Sequence, residues 1–197
     1  MSDLTDDSIR QYLQRSLAAL ELAAGDRKLM ATIRTIADAI ERALRAGNKL
    51  VLAGNGGSAA DAQHIAGEML SRFKTDRVPL PAIALTTDTA VLTAIGNDYG
   101  YEHVFERQLR GLGRRGDIFV ALSTSGRSPN VLAALRAARE LGITAVGFTG
   151  SHDNPMRGLC DICLSAPSDD TPLIQQIYMV AAHAICGVVE SRMIAVR

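Results

Sequence analysis

Two pairs of polar side chains stand at helical spacing in apolar parts of the sequence. His64 and Glu68 are four residues apart, so a helix places them on one face. Gln175 and His183 are eight residues apart in a second predicted helix, about 80° around its axis. Carboxylate and imidazole groups perform acid–base chemistry, and by ligand type the four residues suit zinc or another divalent ion, although glutamine is an unusual ligand. A solvated surface position is the simpler interpretation of each pair alone, but their coincidence favours one shared site.

Four hydroxyl side chains follow the third predicted strand. They are Ser123, Thr124, Ser125 and Ser128, with Gly126 among them and a proline next, where a helix begins. Hydroxyl groups and the free N–H groups of a helix start bind an anion without needing net charge. One capping hydroxyl would be enough to start the helix, so four of them favour a phosphate site over an ordinary capped loop.

The first predicted strand ends in a glycine-rich loop, Gly54-Asn55-Gly56-Gly57-Ser58. Its glycines let the backbone turn tightly and approach a ligand. Gly54, Gly56 and Ala59 also satisfy the dinucleotide pattern G-x-G-x-x-[GA], but the acid expected about 20 residues on falls at Asp76, inside a polar loop and not at the end of a strand. The sequence also lacks the phosphate-binding loop pattern of ATP-binding proteins. We therefore expect no nucleotide cofactor.

Asn97 and Asp98 lie between the second and third predicted strands, in residues 95–101. Their side chains suit sugar hydroxyls. A plain turn is the simpler interpretation of the same residues.

The cysteines give a weaker signal. Cys160 and Cys163 form a single C-x-x-C, whereas a structural zinc site needs a second pair or added histidines. In an extended strand the two sulfurs would point to opposite faces. Cys186 falls in the apolar final helix, and we interpret all three cysteines as structural.

Short apolar runs alternate with helical stretches after Gly47. The runs are Lys49–Ala53, Pro81–Leu85, Asp117–Leu122, Thr144–Thr149 and Asp161–Leu164. Buried strands joined by helices predict an α/β fold, a three-layer αβα sandwich with a five-stranded parallel sheet of flavodoxin-like order. Ligands then bind at the carboxyl ends of the strands, where the glycine and hydroxyl loops fall.

Residues 1–46 are predicted to form two helices ahead of the α/β core at 47–197, and the whole chain, 1–197, is expected to be one domain. Ile9, Leu13 and Leu17 recur at helical spacing in the first helix. Packing on the core or on a partner subunit explains this stripe.

Composition excludes several functional classes. The 197 residues carry 21 basic and 21 acidic side chains, a formal charge of zero, which disfavours nucleic acid as a partner. We expect no membrane span, and the acidic start, with Asp3, Asp6 and Asp7, does not resemble a signal peptide. Three cysteines do not make a disulfide framework, so the cytoplasm is the expected compartment.

Together and in this order, these motifs resemble the sugar isomerase (SIS) domain and, within it, the phosphoheptose isomerases. The resemblance covers essentially the whole chain. It implies the interconversion of sedoheptulose 7-phosphate and D-glycero-D-manno-heptose 7-phosphate, which begins the synthesis of nucleotide-activated heptose for lipopolysaccharide or capsule. It also implies a cytoplasmic homotetramer with active sites between subunits.

The resemblance also assigns roles to residues. Glu68 and His183 become the acid–base pair, with base and acid not distinguished, and Gln175 contacts the substrate. The residues implied to bind the phosphate are Ser123, Thr124, Ser125 and Ser128; those implied to line the sugar chain are Asn55, Gly56, Gly57, Asn97 and Asp98. Some members bind zinc, which here implies His64, Glu68, Gln175 and His183 as ligands.

Moving a carbonyl from C2 to C1 requires removal of a carbon-bound proton, stabilisation of an enediolate and return of a proton to the neighbouring carbon. Glu68 and His183 supply groups for both transfers. A related SIS-domain protein is a non-catalytic regulator that binds the bacterial replication initiator, and a regulator that senses a sugar phosphate is a variant of this alternative. Proteins of that group lack the carboxylate and the imidazole, so their presence here favours the isomerase.

Overall fold

Five parallel strands form one sheet within residues 6–194, the part of the chain that the computed structural model describes. Asp3 lies outside the described residues. The strands are β1 (Leu50–Gly54), β2 (Ala82–Ala84), β3 (Ile118–Leu122), β4 (Thr144–Thr149) and β5 (Ile162–Ser165). Their order is β2-β1-β3-β4-β5, so the winding direction reverses between β1 and β3. The predicted α/β class and parallel sheet are confirmed.

The described helices cover both faces of the sheet. They are α1 (Asp6–Gly25), α2 (Arg27–Arg45), α3 (Gly57–Leu70), α4 (Thr89–Asp98), α5 (Val104–Leu112), α6 (Pro129–Leu141) and α7 (Thr171–Ile194), with short 3-10 helices at Tyr101–His103 and Pro155–Gly158. One apolar cluster joins α1, α2, α3 and α7 to one face, and a second joins α5 and α6 to the other. Three layers result, as the sequence predicts.

The switch in strand order places two loops side by side. Gly54 at the end of β1 pairs with Leu122 at the end of β3, so the glycine loop and the hydroxyl loop leave the same edge of the sheet. This edge is where open α/β sheets bind their ligands. The sheet therefore brings together two motifs that lie about seventy residues apart in the sequence.

The two leading helices are covered unequally. In α2 the apolar stripe is buried, as at Ile36 and Ile40. In α1 only Ala19 and Ala23 are buried, while Ile9, Leu13 and Leu17 are 54%, 63% and 59% exposed. The residues that the structure describes thus leave the stripe of α1 uncovered.

By length and composition alone, α7 could cross a membrane. This property does not test the sequence expectation of no membrane span, because the core helix of a soluble protein shares it. Half of its most apolar window is nevertheless buried inside the fold. Tyr178, Ala181 and Ile185 pack into the core shared with α2 and α3. The core helix of an α/β domain passes the same test of composition, and its burial here accounts for its apolar character.

Candidate active site

A carboxylate and two imidazoles converge where α3 meets α7. His64 Nε2 lies 3.0 Å from Glu68 Oε1, one helical turn away, and 3.4 Å from Nε2 of His183 on α7. Ligand atoms of all three residues fall within 4.8 Å of one another. The ring of Phe73 stacks on His183, with centroids 5.5 Å apart. The structure therefore brings together residues that are more than a hundred positions apart in the chain.

Tetrahedral zinc with ligands about 2.0–2.1 Å away separates those ligands by roughly 3.3 Å. The 3.0 and 3.4 Å spacings around His64 match that requirement, so the donor set fits such an ion. The cluster is also open to solvent, because the side chains of His64 and Glu68 are 49% and 21% exposed.

Gln175 reaches the same region from two turns earlier on α7. A Cβ placed on Gly57 would lie 2.5 Å from Nε2 of Gln175, so the Gln175 amide rests against the backbone at the start of α3. A larger residue at position 57 would displace the Gln175 amide from this place. The final helix thus contacts the glycine loop at Gln175 and the imidazole cluster at His183.

A buried ion pair, which the sequence reasoning missed, fixes the end of α3 against α7. Glu190 on α7 accepts hydrogen bonds from the backbone N–H groups of residues 73–75 and from Arg77 Nε, at 2.8–3.1 Å. Arg77 donates in turn to the carbonyl oxygens of Glu68 and Met69. Burial alone would raise the pKa of Glu190, but the three backbone hydrogen bonds and the Arg77 charge outweigh it and hold that pKa below its usual range.

The sequence signal for this pair was an acid within the apolar end of the last helix, because a buried carboxylate requires a partner. The ion pair acts by positioning residues of the site. The ion pair holds the backbone of Glu68, whose side chain contacts His64. It also holds the segment carrying Phe73, whose ring stacks on His183.

The hydroxyl loop is compact and largely internally bonded. The hydroxyl oxygens of Ser123 and Ser128 lie 3.1 Å apart, and Ser123 Oγ also accepts from the N–H of Gly126. Gly126 has φ +62°, and a Cβ there would overlap the side chain of Asn154. Ser125 Oγ accepts from the N–H of residue 127 at 3.2 Å. The hydroxyl and N–H groups of this loop therefore lie within hydrogen-bond distance of one another just before α6, and a helix start is where anions bind.

Asn55 is held by two residues that the sequence analysis did not single out. Its side chain exchanges two hydrogen bonds with buried Asn130, at 2.9 and 2.8 Å, and accepts one from the Tyr101 hydroxyl at 3.2 Å. Asn130 lies in the first turn of α6, next to the hydroxyl loop. The pair therefore ties the glycine loop to the hydroxyl loop. No local pattern marks Asn130, because its partner is 75 residues away.

Asn97 and Asp98 are not in a turn. They form the last residues of α4, where Asn97 Nδ2 donates to Asp98 Oδ1 at 2.7 Å. Asp88 caps the start of this helix by accepting from the N–H of Val91, and the helix continues through Gly96 to Asp98. Asp98 lines a groove of about 570 Å³ between α4 and edge strand β2. That groove contains neither His64 nor Glu68 nor His183, so we place no reaction there.

One further acid adjoins the cluster. Asp61 precedes His64 by one turn of α3, and its Oδ2 is buried without a hydrogen-bond partner among the described residues. Burial raises the pKa of Asp61, and the neighbouring His64 opposes that effect. The buried hydroxyl of Tyr178 is also without a partner in the described part of the chain.

Comparison with known proteins places this site in context. A SIS-domain family profile matches residues 11–150. A phosphoheptose isomerase from Bradyrhizobium sp. (strain ORS 278) is 58% identical over 191 residues, covering 97% of this chain and 96% of the relative.

Two solved structures agree with the sequence match. Phosphoheptose isomerase GmhA from Neisseria gonorrhoeae superposes with a TM-score of 0.88 at 38% identity, covering 94% of this chain and 98% of the other. A phosphoheptose isomerase from Francisella tularensis gives 0.91 at 35% identity, covering 97% of this chain and all of the other. With fold and sequence shared over nearly the full length, this chain belongs to the SIS-domain family, in its phosphoheptose isomerase branch.

Proposed function

We propose that the protein interconverts sedoheptulose 7-phosphate and D-glycero-D-manno-heptose 7-phosphate through an enediolate, with Glu68 and His183 moving the protons. The observation that carries this proposal is the convergence of Glu68, His64 and His183, with ligand atoms within 4.8 Å, on α7 and on α3, the helix that follows the glycine loop. Aldose–ketose isomerisation needs two proton-transferring groups near one carbon pair, and this cluster supplies both.

Glu68 takes the proton from the carbon next to the carbonyl and returns it to the neighbouring carbon. His183 moves the proton between the two oxygens. Phe73, stacked on the His183 ring, limits the orientations that this imidazole can adopt. Glu68 Oε1 faces His64, which leaves the second carboxylate oxygen to exchange the proton.

The substrate phosphate binds in the hydroxyl loop. The residues assigned to it are Ser123, Thr124, Ser125 and Ser128. Asn55, Gly56 and Gly57 line the sugar chain, with Asn97 and Asp98 approaching from the exposed end of α4, and Gln175 contacts the substrate from α7. Binding energy from the distant phosphate holds the reacting carbons at the acid–base pair.

The ligands proposed for a zinc ion are His64, Glu68, Gln175 and His183, and the convergence of His64, Glu68 and His183 supports this set. When bound, such an ion polarises a carbonyl and stabilises negative charge on its oxygen. We expect purified protein to bind about one zinc per chain. Metal analysis after dialysis measures this, with His64→Ala as the test variant and His152→Ala, a mostly exposed histidine outside the cluster, as its control. Equal zinc in both variants would remove His64 from the ligand set.

The N-terminal segment, residues 1–46, forms an interface in a homotetramer, and residues 1–197 act as one SIS domain. Two observations support this: the apolar stripe of α1 is uncovered, and the His64 cluster is too open for proton transfer shielded from water. Sedimentation of a Leu13→Lys, Leu17→Lys double variant should give a smaller assembly than wild type. Gln14→Lys, an exposed polar position on the same helix, is the control. An unchanged mass for the double variant would contradict the interface.

The enzyme works in the cytoplasm without a nucleotide cofactor. Its product feeds the synthesis of nucleotide-activated heptose for lipopolysaccharide or capsule. The regulator that binds a replication initiator is not favoured, because relatives 47–58% identical over most of the chain are named isomerases. The isomerase class and the sugar phosphate substrate rest on this family membership.

The test is turnover of sedoheptulose 7-phosphate, followed as aldose formation with zinc present. Glu68→Gln and His183→Asn should each reduce kcat by at least about 100-fold, the usual contribution of a positioned acid or base. Glu102→Gln and His152→Asn, which alter mostly exposed groups of the same types, should leave kcat unchanged.

Isotope exchange separates the proton transfer at carbon, assigned to Glu68, from the proton transfer between oxygens, assigned to His183. In deuterated water the wild-type product should carry deuterium on the reacting carbon, and Glu68→Gln should abolish this exchange. Full activity in Glu68→Gln would remove Glu68 from the mechanism. Absence of turnover in the wild type, with phosphosugar binding retained, would favour a sensing role.

A further inference from the structure

The two cysteines of the C-x-x-C motif meet on one face of the sheet, contrary to the sequence expectation. The chain bends at Asp161, whose N–H donates to the Ala145 carbonyl while its carboxylate accepts from the Ala145 N–H, both at 2.8 Å. Cys160 therefore lies before the bend and is not extended, and β5 begins only at Ile162. The expectation of opposite faces assumed an extended segment through both cysteines, and this bend is the physical reason that it is wrong.

A glycine makes room for both sulfurs. Gly147, in β4, pairs with Cys163 of β5. A Cβ at position 147 would lie 2.5 Å from Sγ of Cys160 and 3.5 Å from Sγ of Cys163. Both sulfurs thus occupy the space above one backbone position. Side chains this close need little backbone movement to form a disulfide.

The two thiols are accessible from the surface, and their pKa values are shifted in opposite directions. Both cysteines are partly exposed, and Cys163 lines a surface recess of about 390 Å³ together with Arg157 and Lys28. The hydrogen bond from Cys160, together with the Arg157 charge, lowers the pKa of Cys163 to about 7 despite partial burial. The same hydrogen bond, burial and the Cys163 charge raise the pKa of Cys160 well above its usual range.

Other charged or titratable groups facing the pair have smaller effects. Asp161 adds to the rise in the pKa of Cys160, and Arg139 of α6 opposes it. Burial, followed by the Cys163 charge, raises the pKa of the Tyr178 phenol on α7. These opposite pKa shifts favour a thiolate at Cys163 beside a protonated thiol at Cys160, the arrangement found in dithiols that exchange with disulfides.

We propose that Cys160 and Cys163 form a redox-active dithiol, which a low-molecular-weight disulfide such as glutathione disulfide converts to an intramolecular disulfide. The Cys163 thiolate attacks one sulfur of the reagent, forms a mixed disulfide and expels one thiolate. Cys160 then loses its proton to that thiolate or to solvent and attacks Cys163 Sγ, expelling the second. The protein loses two protons and two electrons, which is two hydrogen atoms in all, and the reagent takes them up to become two thiols.

Formation of the mixed disulfide also prepares the second step. It removes the Cys163 charge and the hydrogen bond that hold the proton on Cys160. Cys160 then becomes the better nucleophile. In a reducing compartment such a pair is reversible, as expected for a regulatory or protective thiol site and not for a structural disulfide.

The chain contains its own internal control. Cys186 is 2% exposed in the core, where burial, followed by the Glu68 charge, raises the pKa of its thiol to about 12. It should remain reduced under the same treatment. The thiol measurements also do not involve the isomerase reaction, so they test the dithiol even if the proposed activity fails.

The experiment is incubation of the intact native protein with glutathione disulfide at pH 8, followed by mass spectrometry. The expected product has lost two hydrogen atoms, and cleavage after Leu164 and Tyr178 should assign the link to Cys160 and Cys163 and separate it from Cys186. A dithiol reductant should restore the original mass. Cys163→Ser should resist the reagent, whereas Cys160→Ser should stop at a stable glutathione adduct.

A third variant tests the geometry. Gly147→Ala introduces a Cβ into the space of the Cys160 sulfur, so it should accumulate the mixed disulfide or react more slowly than wild type. Circular dichroism before oxidation identifies a variant that has failed to fold. The proposal is wrong if the wild-type protein retains three free thiols, stops at the glutathione adduct, or links either cysteine to Cys186.

Discussion

Replacing Glu190 by glutamine tests how strongly the buried ion pair holds α3 on α7. The side chains of Glu190 and Arg77 are each 4% exposed. Glutamine keeps the shape of the carboxylate but has no charge, and its NH₂ group faces N–H donors. The Arg77 guanidinium then stays buried without a counter-charge.

The expected loss of stability follows from that burial. Removing one partner of a buried ion pair costs about 3–5 kcal/mol, because the other charge remains uncompensated. For a domain of this size, each kcal/mol lowers Tm by about 2–4 °C, so Tm should fall by roughly 6–20 °C. The three backbone N–H groups of residues 73–75 lose a charged acceptor as well.

Urea unfolding and calorimetry at one fixed protein concentration measure this loss. Glu140→Gln is the matched control: its carboxylate binds Arg110 Nη2 at 2.7 Å, but the side chain is 61% exposed. An exposed pair contributes about 0–1 kcal/mol, so this control should unfold almost like the wild type. A Glu190→Gln variant within 1 kcal/mol of wild type, judged by the range expected for surface pairs, would refute the reasoning.

The same variant has a pH signature. Because the pKa of folded Glu190 lies below its ordinary value of 4.5, its contribution to stability is complete above that value and is lost as the pH falls through the folded pKa. Wild-type stability should therefore decline in acid below about pH 4.5. Glu190→Gln should lose part of that dependence. An identical acid slope in both proteins would contradict the assignment.

Gly54→Ala should abolish most isomerase activity, because a Cβ at position 54 would lie 2.6 Å from the backbone of the first turn of α3. Gly67→Ala is the control and should keep its activity, because the space around Gly67 is open. Equal kcat values for the two variants would contradict this prediction. Iodoacetamide should alkylate Cys163 at a rate that rises with pH through about 7, and Cys186 should not react below pH 9; peptide mapping measures both. Asp117→Asn should lower the free energy of unfolding by about 1–3 kcal/mol in urea, because this buried carboxylate binds a lysine ammonium and two backbone N–H groups. A change of under 0.5 kcal/mol would contradict that estimate, since surface substitutions alone reach it.

Much of the architecture was predictable from the sequence because its determinants are local. The apolar runs predict every strand of the described sheet to within about a residue, and α6 begins at Pro129, where the proline indicates a helix start. The glycine and hydroxyl loops were also recognisable, since turn chemistry depends on a few consecutive residues.

Other features depended on the tertiary fold. The approach of His183 to His64 spans 119 positions, the contact of Glu190 with Arg77 spans 113, and the pairing of Asn55 with Asn130 spans 75. Periodicity shows which face of a helix is apolar, but it does not show which distant helix covers that face or how the two helices are aligned along their axes. That alignment is set by how the side chains of α3 and α7 pack together.

The cysteine pair gives the same lesson at short range. Spacing alone put the two sulfurs on opposite faces, but a hydrogen-bonded bend at Asp161 and the space above Gly147 on the neighbouring strand put them together. The sequence by itself determined the order of elements and the chemical groups available at their ends. The tertiary structure decided which of those groups meet, because contacts between distant segments depend on packing across the whole core.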